Sequence, residues 1–276
     1  METKIGVLMI RGAGKSGFDA QVKFTKKINK RLSNSGIDTN NIIYEHVDWY
    51  GPTQKFQEKL WNRIKQNRKK LASLWLREFV LYLVSDMVAY TGIPGRDSDT
   101  YQKTHELIFE SIKKLEAKLP WDAPLVIIAA SLGTSLINNY IWDRQKLSDD
   151  DPWINTPFQR FETLTGFFLF GNNIPLFITG YDPDDWKPVK FPSDKLATDL
   201  KTLAKWVNYY DRHDPLGFPM KDINQYFKGS AMIDEEINVG NPLFSWNIGS
   251  HLSYWKSKKL ARKNAEYLTM IYQKKA

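Results

Sequence analysis

The sequence predicts an α/β protein, a mostly parallel sheet covered by helices on both faces. Two observations carry this expectation. Residues 4–10 and 125–130 are short runs apolar at nearly every position, too short and too rich in β-branched residues for buried helices. Each run ends in a glycine-containing turn and is followed by a segment with apolar residues at helical spacing. Strands apolar on both faces that alternate with helices belong in a sheet buried from both sides. No internal repeat, low-complexity tract or flexible linker divides the 276 residues, so a single domain is expected.

Taken in order, residues 4–10 read as a buried strand closing at Arg11-Gly12-Ala13-Gly14. Val22, Ile28 and Leu32 then recur among lysines, giving a helix that stops near Gly36. Ile42 to Trp49 reads as a second strand. Residues 53–90 read as helical, with Phe56, Leu60, Trp61, Ile64, Leu71, Leu74 and Trp75 on one side, until Gly92-Ile93-Pro94-Gly95 breaks the run. A helix follows from about Tyr101 to Leu119. Leu125 to Ala130 is the most apolar strand, and it leads through Ser131-Leu132-Gly133 into an amphipathic helix carrying Leu136, Ile137, Tyr140 and Ile141. Leu164–Phe170, Trp206–Tyr210 and Ala231–Val239 complete the strands.

Composition narrows the chemistry. The chain has no cysteine, which excludes disulfides, thiolate metal sites and cysteine nucleophiles. No apolar run approaches the length of a membrane span, and the first residues lack the pattern of a signal peptide, so a cytoplasmic protein is expected. A net charge of +8 raises the question of a nucleic-acid partner. The densest groups are Arg63, Lys65, Arg68, Lys69 and Lys70, and Lys256, Lys258, Lys259, Arg262 and Lys263. Both sit at helical spacing beside apolar residues and read as solvated helix faces. No nucleic-acid recognition motif accompanies them, and a nucleic-acid partner is not expected.

Two strand-to-helix turns could carry chemistry. Gly12-Ala13-Gly14-Lys15-Ser16 ends like a phosphate-binding loop, but the glycine such a loop needs five positions before Gly14 is Met9, inside the strand. In Ala129-Ala130-Ser131-Leu132-Gly133, a serine on a sharp turn would expose its hydroxyl beside the amides of a helix N-terminus. The same serine could instead cap the helix. Crowding in such a turn demands small residues two before and two after the serine; Gly133 satisfies this fully and Ala129 less well.

A serine nucleophile needs a histidine base, and only four histidines exist. His46 lies within a strand and His105 on a helix, and both read as structural. His213 sits between Asp211 and Asp214 in a polar turn. His251 follows the last strand in a loop. The order Ser131, Asp214, His251 is the serine–acid–histidine order expected of an α/β-hydrolase, with Asp211 as the alternative acid.

The chain resembles the α/β-hydrolases, and within them poorly characterised bacterial serine hydrolases loosely labelled chemotaxis proteins. The matching segments are Gly12-Ala13-Gly14, Ser85 to Tyr90, Ser131-Leu132-Gly133 with Tyr140 to Asp143, Trp206 to Asp211, Asp214 to Pro219 and Ser250 to Trp255. They span most of the chain. The resemblance implies an α/β-hydrolase fold with a helical insertion over about 51–95. It also implies a serine esterase with Ser131, Asp214 and His251 as the triad and the backbone amides of Ala13 and Leu132 as the oxyanion hole. A small-molecule acyl substrate is implied, with no metal or organic cofactor; a homo-oligomer is compatible with the sequence. The chain departs from the family at Arg11, where His is usual, at Ala129-Ala130 in place of Gly-His, and at Asn172-Asn173 in place of Ser-Pro. Those departures support an alternative, a catalytically weak or inactive protein of the same fold that binds a partner. Residues 51–95, rich in Trp61, Trp75, Leu76, Phe79, Leu81, Tyr82 and Val84, are expected to form a lid or wall beside the site.

Overall fold

A computed structural model describes residues 3–13, 17–49, 51–66, 71–91, 100–147, 154–178, 182–240 and 248–276. Its centre is a six-stranded, all-parallel sheet in the order β2-β1-β3-β4-β5-β6. The strands are β1 (Ile5–Ile10), β2 (Ile42–Val47), β3 (Leu125–Ala130), β4 (Leu164–Phe170), β5 (Lys205–Tyr210) and β6 (Met232–Glu236). The principal helices are α1 (Gly17–Asn34), α2 (Gly51–Gln66), α3 (Leu74–Thr91), α4 (Thr100–Glu116) and α5 (Leu132–Arg144). Short helices α6 (Thr198–Lys201), α7 (Gln225–Gly229) and α8 (Ile248–His251) precede the long α9 (Lys258–Lys275).

The period of two along each strand sorts side chains between two cores. In β1, Ile5, Val7 and Met9 pack with Phe24, Ile28 and Leu32 of α1 and Leu260, Leu268 and Ile271 of α9. Leu8 and Ile10 point the other way, against Ile108 and Ile112 of α4 and Leu136 and Ile137 of α5. Each such side chain, once buried, contributes about 1.5–3 kcal/mol. A one-residue slip of β1 would exchange the two sets, so its register is strongly specified.

Four expectations are corrected. The run over 53–90 is two helices, with Ser73 in a left-handed conformation (φ 53°) just before α3. The stripe read along that run does not pack as one face: Trp61 is buried, whereas Phe56 and Trp75 are 73% and 56% exposed. Helix α5 is buried on nearly every side, not amphipathic, because it lies under the sheet between α4 and the turn at Ile174–Phe177. His251 sits on the helical turn α8, not in a loop. The Gly14-Lys15-Ser16 and Gly92–Gly95 readings fall outside the described residues.

The strand order places the site. β1 has β2 on one side and β3 on the other, so the chain leaves the carboxyl ends of β1 and β3 in different directions and opens a crevice between them. Open α/β sheets bind ligands at such a switch point. Gly12-Ala13 follows β1 and Ser131 follows β3, on the two sides of that crevice.

Candidate active site

β3 ends at Ala130 and α5 begins at Leu132, so Ser131 alone makes the turn, at φ 52° and ψ −131°. A non-glycine residue there is strained by roughly 1–3 kcal/mol and persists only where its surroundings over-determine it. They do so here. The Ser131 N–H donates to the Phe170 carbonyl at 2.9 Å, and the Ser131 carbonyl accepts from the Thr134 N–H at 2.8 Å and the Thr134 hydroxyl at 2.6 Å. Its side chain makes no capping bond to α5, which removes the capping reading. Close approach explains the flanking glycines. A Cβ on Gly12 would lie 2.6 Å from Ser131 Cβ, and one on Gly133 would lie 2.6 Å from the Arg11 carbonyl oxygen.

His251 reaches this turn from α8. Its Nε2 lies 2.7 Å from Ser131 Oγ, and its Nδ1 lies 2.8 and 3.0 Å from the two carboxylate oxygens of Asp214. The His251 and Asp214 side chains are 1% and 0% exposed. The Asp214 carboxylate also accepts from the Leu216 N–H and the Tyr254 hydroxyl, each at 2.9 Å. Asp211, buried nearby, instead accepts from the N–H groups of His213 and Val239 and so holds the turn together. Tyr254 links the two acids, since its hydroxyl accepts from the Asp211 N–H while donating to Asp214. Burial, reinforced by the Asp214 charge, pushes the Tyr254 phenol far above its ordinary value and keeps it a neutral donor. The other histidines are elsewhere: His46 faces Gln21, His105 contacts Tyr90, and His213 is exposed.

A polar bracket behind the serine was not legible as such in the sequence. The turn after β4 supplies Asn172 and Asn173, both buried. Asn172 Oδ1 accepts from the Ile174 N–H at 3.0 Å and lies 3.0 Å from the Thr134 hydroxyl oxygen. The Asn173 amide, oriented to satisfy its neighbours, donates to the Ser131 carbonyl at 3.0 Å and to Ser135 Oγ at 2.9 Å, and accepts from the Leu132 N–H at 3.3 Å. Of the two amides expected at an oxyanion, that of Leu132 is therefore held by a neutral side-chain carbonyl in the resting site. Ala13 lies on the cleft wall. Arg11 turns away toward β2, donating to Asp48 at 3.2 Å and lying over the Trp49 ring.

The cleft beside Ser131 has a volume of about 180 Å³, and its lining includes Gly12, Ala13, Ala20, Phe79, His251 and Trp255. Phe79 of α3 meets the His251 ring edge to face at 6.1 Å. Of the apolar residues expected to form a lid, it alone lines the cleft among the described residues; Trp61 and Tyr82 are buried in a small cluster of their own. Larger hollows, such as that of about 520 Å³ along β6, contain neither Ser131 nor His251. Among the described residues no cluster of three or more His, Asp or Glu side chains could hold a metal ion, and no helix is long and apolar enough to cross a membrane.

Comparison with protein-family models, curated proteins and solved structures gives no match to this chain.

Proposed function

We propose that the chain is a serine hydrolase of the α/β-hydrolase type that cleaves a carboxylic ester through an acyl-enzyme. The observation that carries the reading is the continuous Asp214–His251–Ser131 hydrogen-bond chain, ending on a serine in a strained turn. Asp214 accepts from Nδ1–H of His251 and so leaves Nε2 free to accept from the Ser131 hydroxyl. Ser131 Oγ attacks the ester carbonyl as His251 takes its proton, and His251 then protonates the departing alkoxide. Water repeats the sequence on the acyl-serine, releasing the acid and restoring Ser131. The developing oxyanion takes the amides of Ala13 and Leu132; a charged oxygen outcompetes the neutral Asn173 carbonyl for the Leu132 N–H. The serine–acid–histidine chain order supports the α/β-hydrolase assignment. The reaction uses a small acyl substrate and no cofactor, and a cytoplasmic location belongs to the same reading.

A fluorophosphonate probe tests it. Wild-type protein labels covalently at Ser131, and both labelling and ester turnover vanish in Ser131→Ala. Absence of labelling in folded wild-type protein would overturn the reading. It would favour a partner-binding role on the same fold, for which the exposed row Val80, Val84 and Val88 on α3 offers a surface.

A further inference from the structure

Beyond the cleft, the layer formed by α1 and α9 carries the basic run that the sequence presents as a solvated helix face. Lys23, Lys26, Lys27 and Lys30 fall on one side of α1, and Lys256 and Lys258 flank the start of α9, which packs against α1. Among the described residues none of these six lysines forms an ion pair, although pairs occur further along α9 at Arg262–Glu266 and Lys263–Glu235. The first turn of α9 holds no acid. Cations at that end oppose the helix dipole, so their placement is not explained by stability.

The cluster meets the cleft at its edge. Lys256 is part of the cleft lining, next to Trp255. The Lys27 ammonium donates to the Lys256 carbonyl at 2.7 Å, which ties a half-buried positive charge to the residue at the cleft edge. Partial burial and the neighbouring Lys258 charge both lower the Lys27 pKa, the mark of crowded and uncompensated cations.

We infer that the ester taken by Ser131 carries a negative charge in its alcohol portion, held at the mouth by Lys27, Lys256 and Lys258 while the short acyl chain enters the apolar cleft. This rests on the esterase reading and adds its substrate class: a small acyl ester of a carboxylate- or phosphate-bearing alcohol. The outlying Lys23, Lys26 and Lys30 add a field that draws such a molecule toward the mouth.

Two matched esters test this, butyryloxyacetate and its neutral counterpart butyryloxyacetamide. Binding to Ser131→Ala protein, measured by calorimetry at low salt, is expected to favour the anion by about tenfold, falling toward parity at high salt. In wild-type protein kcat/KM shows the same preference. Lys27→Gln with Lys258→Gln removes the preference, read as the ratio of kcat/KM for the anionic and the neutral ester, whereas Lys27→Arg retains it. 2-(Butyryloxy)ethyl phosphate, the butyryl ester of a phosphate-bearing alcohol, separates a carboxylate site from a phosphate site by which binds more tightly. Equal binding of charged and neutral esters, or a preference unaffected by both salt and the Gln variants, overturns the inference. The esterase reading fails separately: the anion is still preferred by Ser131→Ala protein, but wild-type protein neither labels nor turns over either ester.

Discussion

At the scale of single residues, the site depends on groups that hold Ser131 in place as much as on the serine. Asn173 is the sharpest case, because one amide both steadies the Ser131 carbonyl and occupies the Leu132 N–H. Asn173→Asp loses the donor and sets a carboxylate where the oxyanion must develop. A fall in kcat of roughly 10²-fold is expected, the usual cost of an oxyanion donor, with an unchanged circular-dichroism spectrum. Strain at Ser131 makes a second prediction. Glycine accepts φ 52° readily, so Ser131→Gly is inactive but more stable than Ser131→Ala by about 1 kcal/mol, measured by urea unfolding. The two acids separate in the same way. Asp214→Asn loses about 10⁴ in kcat through loss of the His251 tautomer. Asp211→Asn instead lowers stability, because its bonds to His213 and Val239 close the turn. Chain order pointed to Ser131 and His251 and left the acid between Asp214 and Asp211. Asn173 and Tyr254 were not legible as partners of the site, because their roles follow from loops meeting across the sheet rather than from local spacing.

Among the elements, strands were more legible than helices. The apolar runs that became β3 and β4 carry their own signal, since a strand buried on both faces has no polar side to misread. Helix α5 offers no such clue: nine of its residues are buried, and only its position under the sheet explains why Asn138 and Ser135 sit inside. The joint between α3, α4 and α5 has a measurable property. Tyr90 of α3 meets His105 of α4 at 2.9 Å, and Tyr101 of α4 donates to Asp143 of α5 at 2.5 Å. Burial lowers the His105 pKa from 6.5 to about 4, against the opposing pull of Asp143. Between those values the unfolded chain binds a proton that the folded chain refuses, so stability is full above pH 6.5 and declines as pH falls toward 4. The decline attributable to His105 is about 3 kcal/mol. His105→Gln flattens this part of the profile, as urea midpoints at pH 7.5 and 4.5 would reveal; an unchanged slope would place the titrating group elsewhere.

For the whole molecule, the crevice at the switch point sets both reach and size. A cleft of about 180 Å³ beside Ser131 is small, suited to a short acyl chain. Turnover of straight-chain esters is therefore expected to rise from acetyl to hexanoyl and to fall by octanoyl, read as kcat/KM. A continued rise through octanoyl would mean that α2 and α3 move to enlarge the cleft. The sheet order also bears on how the chain is made. β1 is synthesised well before β3, yet it lies inside the sheet and needs β3, whose first residue is Leu125, to cover its second edge. At about ten residues per second, its apolar strand waits on the order of 10 s on the ribosome with one side unpaired. Of all the segments of this protein, β1 is the one a cotranslational chaperone has most reason to shelter.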